Sequence, residues 1–206
     1  MSAERSYGGL PPARRREERR ARLLAAGIEL FTSTGYQQTK ITELCAAAGM
    51  SNRGFYQEFE TKEALLLELY ARTNQLAYDH VSQTLTTLDS TDPAVRIDVL
   101  VDVYLTAVTS DPRLARLNYV EAVGVSPAVE SLHEEWVARW SELIEQEADR
   151  AAAAGLAPRR DFRLTTIMIV GAMTGLLREW QTHIARYPVA GIAAEAKALI
   201  LTSITR

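Results

Sequence analysis

Three helix-start signatures in the middle of the chain constrain its fold more than any other feature. Asp92-Pro93, Asp111-Pro112 and Ser126-Pro127 each set a side-chain acceptor one residue ahead of a proline. The acceptor satisfies a free N–H of the first turn, and the proline occupies the first helical position, where its missing N–H costs nothing. No run of alternating β-branched residues bounded by a hairpin turn stands against them. The chain is therefore read as all-α, with about nine helices. The first spans about 14–32, with Leu23, Leu24, Ile28, Leu30 and Phe31 mostly three or four residues apart and Gly35 just past its end. A short second helix runs from Thr39 or Lys40 to about Ala48, where Gly49 stops it. Ser51 caps a short third helix, Asn52 to Phe59, and Thr61 caps a long fourth one from Lys62. Further helices are expected over about 93–109, 112–123 and 127–154, with another after Asp161 and a last one after Pro188. No repeat of 20–50 residues argues for a solenoid.

With 206 residues, 47% of them hydrophobic and 24% charged, the chain can bury a real core, which excludes wholesale disorder. The single cysteine, Cys45, cannot form an internal disulfide, so the chain suits a reducing compartment and is read as cytoplasmic. Cys45 itself is read as a small buried hydrophobe rather than a redox sensor. Residues 1–13 carry Gly8-Gly9 and Pro11-Pro12 and lack the apolar stretch of a signal peptide, so a disordered tail is expected there. The apolar run from Leu164 to Leu177 has fourteen residues, three of them threonines, against the roughly 20 needed to cross a bilayer. It reads as a helix apolar nearly all round, suited to packing against a partner chain.

The net charge of −3 conceals an asymmetry: through Lys62 there are ten Lys/Arg against seven Asp/Glu, and beyond it thirteen against nineteen. A basic amino-terminal third joined to an acidic remainder is the distribution expected when one end meets polyphosphate. Residues 23–66 hold a helix, a loop, a short helix, a tight turn at Ala48-Gly49-Met50-Ser51 and another short helix, which is the order of a helix-turn-helix. Ala48 and Gly49 permit close approach, while Ile41, Leu44, Phe55 and Phe59 supply a small core that holds the angle between the helices.

The string Leu30-Phe31-x-x-x-Gly35-Tyr36-x-x-Thr39-x-Ile41-x-x-Leu44-Cys45-x-x-Ala48-Gly49-Met50-Ser51, continued by Phe55-Tyr56-x-x-Phe59-x-x-Lys62-Glu63-x-Leu65-Leu66, resembles the DNA-binding domain of the TetR family of bacterial transcriptional regulators. The likeness covers about a quarter of the chain. Early in the third helix, Asn52 and Arg53 stand where base edges would lie, since arginine bonds bidentately to guanine and asparagine to adenine. Gly54 lets that helix sit close to the groove, and Ser51 and Gln57 flank the reading positions. The resemblance implies phosphate contacts from Tyr56, from Lys62, and from Thr39, Lys40 and Thr42 at the start of the second helix. Arg14, Arg15 and Arg16 are candidates for a flexible arm that grips phosphate or the minor groove. Simpler readings stand beside these: Tyr56 packed at the domain edge, Lys62 as a surface lysine, the arginines as a solvated face. Arg53 stands where many members have glycine, and Glu58 is the awkward residue, because a carboxylate near the DNA backbone repels phosphate unless it accepts from cytosine or turns away.

The resemblance further implies a tail at 1–13, a DNA-binding domain at 14–61, and a helical regulatory and dimerisation domain at 62–206. Candidate pocket residues combine an apolar body with a polar handle: Tyr104, Asn118, Tyr119, Glu121, Trp136, Trp140 and Arg178. Candidate dimer contacts are Met168, Met173, Leu176, Leu177, Trp180, Leu199 and Ile200 on the last two helices. The function expected is that of a repressor that binds palindromic double-stranded DNA as a homodimer, with recognition helices about 34 Å apart or a multiple, and is released by a small molecule. No metal or cofactor is expected, and no membrane partner. An enzyme is disfavoured: His80, His133 and His183 are dispersed, His133-Glu134-Glu135 lacks the second histidine of a zinc-protease helix, and no phosphate-binding glycine loop or nucleophile elbow occurs. The alternative is a helical ligand-binding protein of the same fold that does not bind DNA.

Overall fold

The computed structural model describes residues 12–184 and 186–206, and among these all regular structure is helical. In chain order the helices are α1 (Pro12–Leu30), α2 (Ile41–Ala47), α3 (Asn52–Tyr56), α4 (Lys62–Thr87), α5 (Pro93–Thr109), α6 (Pro112–Arg116), α7 (Pro127–Ala153), α8 (Arg163–Thr182) and α9 (Val189–Thr205). Most of the expected tail lies outside the described residues, and Pro12 and Ala13 already belong to α1. Each of the three proline signatures opens a helix as expected. Asp92 accepts from the Ala94 N–H at 2.9 Å, Asp111 from Arg113 N–H at 3.0 Å, and Ser126 from Val129 N–H at 3.3 Å. Two helices end differently from expectation, running on through a single wide π-helical turn: Phe31–Gly35 after α1 and Leu117–Glu121 after α6.

The chain divides into two compact units, one ending at Leu69 and one beginning at Tyr70, so the division falls inside α4. In the first unit Leu23, Leu24 and Phe31 of the α1 segment are buried with Leu44, Phe55, Phe59, Leu65 and Leu66. Gly27 marks a close approach, since a Cβ there would stand 2.8 Å from Leu69 Cδ1. Gly49 has φ +63° and ends α2 in the left-handed region, where the Met50 N–H reaches back to the Cys45 carbonyl at 2.9 Å. Cys45 is buried, and burial pushes its thiol up from 9.0, which keeps it protonated and suits the packing role.

The second unit packs α5, α7, α8 and α9 around Val101, Leu105, Ile144, Ile169, Leu177 and Ile200. Arg96 and Glu147 form a buried ion pair within it, and Arg96 also donates to the carbonyls of Leu85, Leu88 and Ser90, closing the turn between α4 and α5. The expectation that α8 is apolar all round for a partner chain needs correction. Met173, Leu177 and Trp180 on α8, and Ile200 on α9, are buried within this chain's own core and so are not available to a second copy. What remains outward is narrower: Leu164, Ile167 and Met168 on α8 with Leu199 on α9, while Leu176 is half-buried.

Candidate functional site

The short second and third helices are held by side chains that the α2–α3 turn brings together. Leu44, Ala48, Phe55 and Phe59 are buried, and Ile41 is half-buried at the edge. With that face occupied, the other face of α3 is open. Asn52, Arg53, Tyr56 and Gln57 are exposed, and among the described residues the side chains of Asn52, Arg53 and Gln57 make no hydrogen bond or ion pair within the chain. Tyr56 is 57% exposed, its ring edge-on to Phe55 with centroids 5.5 Å apart. Its phenol therefore projects from a fixed stem. Ser51 is the N-cap, accepting from the Gly54 N–H at 3.2 Å. A Cβ at Gly54 would meet nothing closer than 3.6 Å, so internal packing does not require glycine there.

The residues assigned to phosphate divide into two groups. Lys40 and Thr42 are exposed at the start of α2, where the Lys40 N–H donates to the Glu43 carboxylate at 2.8 Å. Thr39 and Lys62 face the protein itself. The Thr39 hydroxyl is buried and donates to the carbonyls of Gly35 (2.8 Å) and Leu30 (3.3 Å). The Lys62 ammonium donates to the carbonyls of Tyr36 (2.7 Å), Thr39 (2.8 Å) and Gln37 (3.4 Å) and lies 4.3 Å from the centre of the Tyr36 ring. Burial pulls its pKa below the ordinary lysine value of 10.5. Lys62 thus fastens the 36–39 loop that delivers the chain into α2.

The awkward carboxylate has a structural answer. Glu58 is 8% exposed and turns away from the open face, accepting from Arg16 at 3.2 Å and from Arg19 at 3.0 and 3.2 Å. Arg20 donates to the Glu58 carbonyl at 2.8 Å, pairs with Glu68, and lies over the Phe59 ring. Half of the arginine run therefore ties α1 to the end of α3, a role that sequence reading missed although the misplaced Glu58 was its signal. Arg14 and Arg15 are exposed and lie in α1 rather than in a flexible arm.

The second unit holds two neighbouring cavities. The inner one, about 50 Å³, is walled by Tyr104, Tyr119, Trp136 and Trp140 together with aliphatic residues such as Val101 and Ile169. The outer one, about 130 Å³, has Asn118, Glu130 and Arg178 in its wall, and Tyr70, Tyr119, His133 and Thr174 are common to both. The π-turn after α6 explains why the neighbours Asn118 and Tyr119 share a wall, since a wider turn rotates successive residues by a smaller angle. Glu121 borders neither cavity and pairs with Arg116. Tyr70, Asn74 and His133 line the cavities without having been expected there, and so do Met173 and Ile200, expected at a dimer contact. Tyr70 Oη lies 2.9 Å from His133 Nδ1, and Tyr104 Oη lies 2.6 Å from Tyr119 Oη. Burial holds all three phenols protonated: Tyr104 is pushed up to about 12, and Tyr70 and Tyr119 are raised well above the ordinary value of 10.0.

An exposed α3 carried on a packed α2–turn–α3 scaffold defines a helix-turn-helix DNA-binding domain. Residues 23–69 match the family model for bacterial regulatory proteins of the tetR family. The chain is 26% identical over 174 residues to the HTH-type transcriptional regulator EthR of Mycolicibacterium smegmatis, a match covering 82% of this chain and 79% of that protein. It is 31% identical over 114 residues to the transcriptional activator FasR of the same organism, covering 55% of this chain and 51% of FasR. The fold is similar to that of the transcriptional regulator FadR from Bacillus subtilis in complex with stearoyl-CoA, with a TM-score of 0.79 at 15% identity over 89% of this chain and 98% of that one. Among the described residues no helix is long and apolar enough to cross a membrane.

Proposed function

We propose that the chain is a sequence-specific DNA-binding transcriptional regulator, a cytoplasmic homodimer that represses from a palindromic operator and is released by a small molecule. The observation that carries the reading is the free face of α3, where Asn52, Arg53 and Gln57 have no partner within the chain while the residues behind them are buried. Polar side chains that match base edges and lack internal partners suit major-groove readout. Lys40, Thr42, Tyr56, Arg14 and Arg15 surround that face with groups able to hold phosphate, which positions the reading helix without carrying sequence information. Residues 14–61 read DNA on this proposal, and 62–206 hold ligand and partner. Release requires that the ligand bind the two states with different affinity, since equal binding shifts nothing. The chain acts by binding rather than by catalysis. The ligand-bound FadR relative supports a ligand-responsive second unit.

The deciding experiment is selection of bound duplexes from a random pool by the purified protein, followed by sequencing. Enrichment of a two-fold symmetric site is the expected result. A pool that stays random at low salt would sink the proposal and favour a carrier of the same fold.

A further inference from the structure

The two cavities of the second unit differ in chemistry, and the difference specifies a ligand. The inner chamber is walled by aromatic and aliphatic side chains and, apart from His133, has no ionisable group other than tyrosine. The outer chamber has Arg178, which is exposed and makes no side-chain hydrogen bond or ion pair among the described residues. The acidic residue in that chamber's wall, Glu130, accepts from the Gly124 N–H at 2.9 Å. The walls common to both chambers, Tyr70, Tyr119, His133 and Thr174, place the apolar room directly beside the one that holds Arg178.

Several donors at this junction have no acceptor within the chain. Tyr104 and Tyr119 share one hydrogen bond at 2.6 Å between two hydroxyls, which leaves one O–H without an acceptor. Burial keeps both phenols protonated. The indole N–H of Trp136 is buried and has no partner, although Trp136 is 5% exposed. Arg178 adds the guanidinium donors. On the acceptor side stands the unpaired Asn118 Oδ1, and rotation of that amide would present its NH₂ instead. Unpaired buried donors are costly, and a ligand rich in acceptors relieves the cost. Size sets a second limit. A buried water needs about 10–15 Å³ by the measure in which the inner chamber has about 50 Å³, so that chamber suits an apolar group of only a few heavy atoms.

The geometry points to a compact amphipathic carboxylate as the ligand, its short apolar group in the aromatic inner chamber and its carboxylate in the outer chamber facing Arg178. This rests on reading the chain as a ligand-responsive regulator and adds the chemical class of the effector. Arginine binds carboxylate through paired N–H donors, so the anionic end is fixed in direction as well as in place.

The test uses the full chain without DNA. Intrinsic fluorescence is titrated with pentanoate, octanoate and dodecanoate and with the corresponding alcohols, because Trp136 and Trp140 line the inner chamber. The acids are expected to bind about tenfold or more tighter than alcohols of equal length, a ratio set by a charged hydrogen-bonded pair, with the shorter chains preferred to dodecanoate. Arg178→Gln is expected to remove the difference between acid and alcohol. Arg178 is exposed, so this variant keeps its fold, which its melting curve checks. Alcohols binding as well as acids, an acid preference that survives in Arg178→Gln, a preference for dodecanoate, or no response to any probe would each overturn the inference. Duplex selection is scored separately: a symmetric operator recovered alongside an absent carboxylate response removes this inference alone and leaves the DNA-binding reading standing.

Discussion

At the scale of single residues, chemical type and position in the fold assign different roles to two cations of the first unit, Arg53 and Lys62. Arg53 has no internal partner, so its guanidinium is available to a base edge. Arg53→Ala is expected to lose about 1–3 kcal/mol of discrimination at one base position while leaving the salt dependence of binding nearly unchanged. Comparing the sequence preferences of the two proteins by duplex selection at two salt concentrations checks both parts. Lys62 is the opposite case, donating to three loop carbonyls of its own chain. Lys62→Ala should lower stability by about 1–3 kcal/mol, the usual scale for hydrogen bonds to a charged group. A salt slope shallower by a full unit in that variant would instead place the ammonium on phosphate. The family likeness points to Lys62 from sequence, but which acceptors it meets depends on the path of residues 36–39, which no local pattern states.

At the scale of elements, caps and turns were legible because they depend on neighbours in sequence. Gly49 follows α2 with φ +63°, a conformation that costs an L side chain about 1 kcal/mol even where a Cβ meets only an ordinary contact, here Arg22 Nη1 at 3.7 Å. Gly49→Ala is expected to lose about that much in chemical denaturation, with larger losses in DNA affinity if the α2–α3 angle shifts. Asp111, the N-cap of α6, has its pKa held below 3.8 chiefly by the hydrogen bond from Arg113. A depressed carboxylate stabilises the fold fully above its unfolded value and loses that contribution as pH falls through its folded value. The second unit should therefore weaken on the acid side below about pH 4, and Asp111→Asn should flatten that part of a stability profile measured against pH. The two π-helical turns were not legible, since the pattern of apolar residues in 112–123 is the same for an α-turn and for a π-turn one residue wider.

At the scale of the whole molecule, the two compact units have separate cores, and all three tryptophans lie in the second. Arg96 and Glu147 pair inside that second core, so Arg96→Leu leaves a buried carboxylate with only the longer contact from Arg150 at 3.6 Å. A loss of about 3–5 kcal/mol is expected, followed by tryptophan fluorescence in denaturant. The proposed homodimer is tested at this scale as well. Met168 is 67% exposed and Leu199 40%, and Gly171 and Gly175 on α8 have open space where a Cβ would stand. Met168→Glu is accordingly expected to convert a dimer to a monomer in sedimentation and to weaken operator binding, because two half-sites then no longer bind as one unit.

The sequence by itself determined the helical class, most helix starts, the turn between α2 and α3, and the exposed reading positions. All of these follow from interactions a few residues long: a cap to its turn, a glycine to its φ, an apolar stripe to its helix face. Tertiary structure alone decided which charges face outward. It turned Glu58 onto Arg16 and Arg19, set Lys62 on the loop carbonyls, buried Met173, Leu177, Trp180 and Ile200 in their own chain, and brought Tyr70 and His133 together from positions 63 residues apart. The reason is that burial and pairing are properties of surfaces that meet only after distant segments pack, so a residue's type limits its partners without naming them.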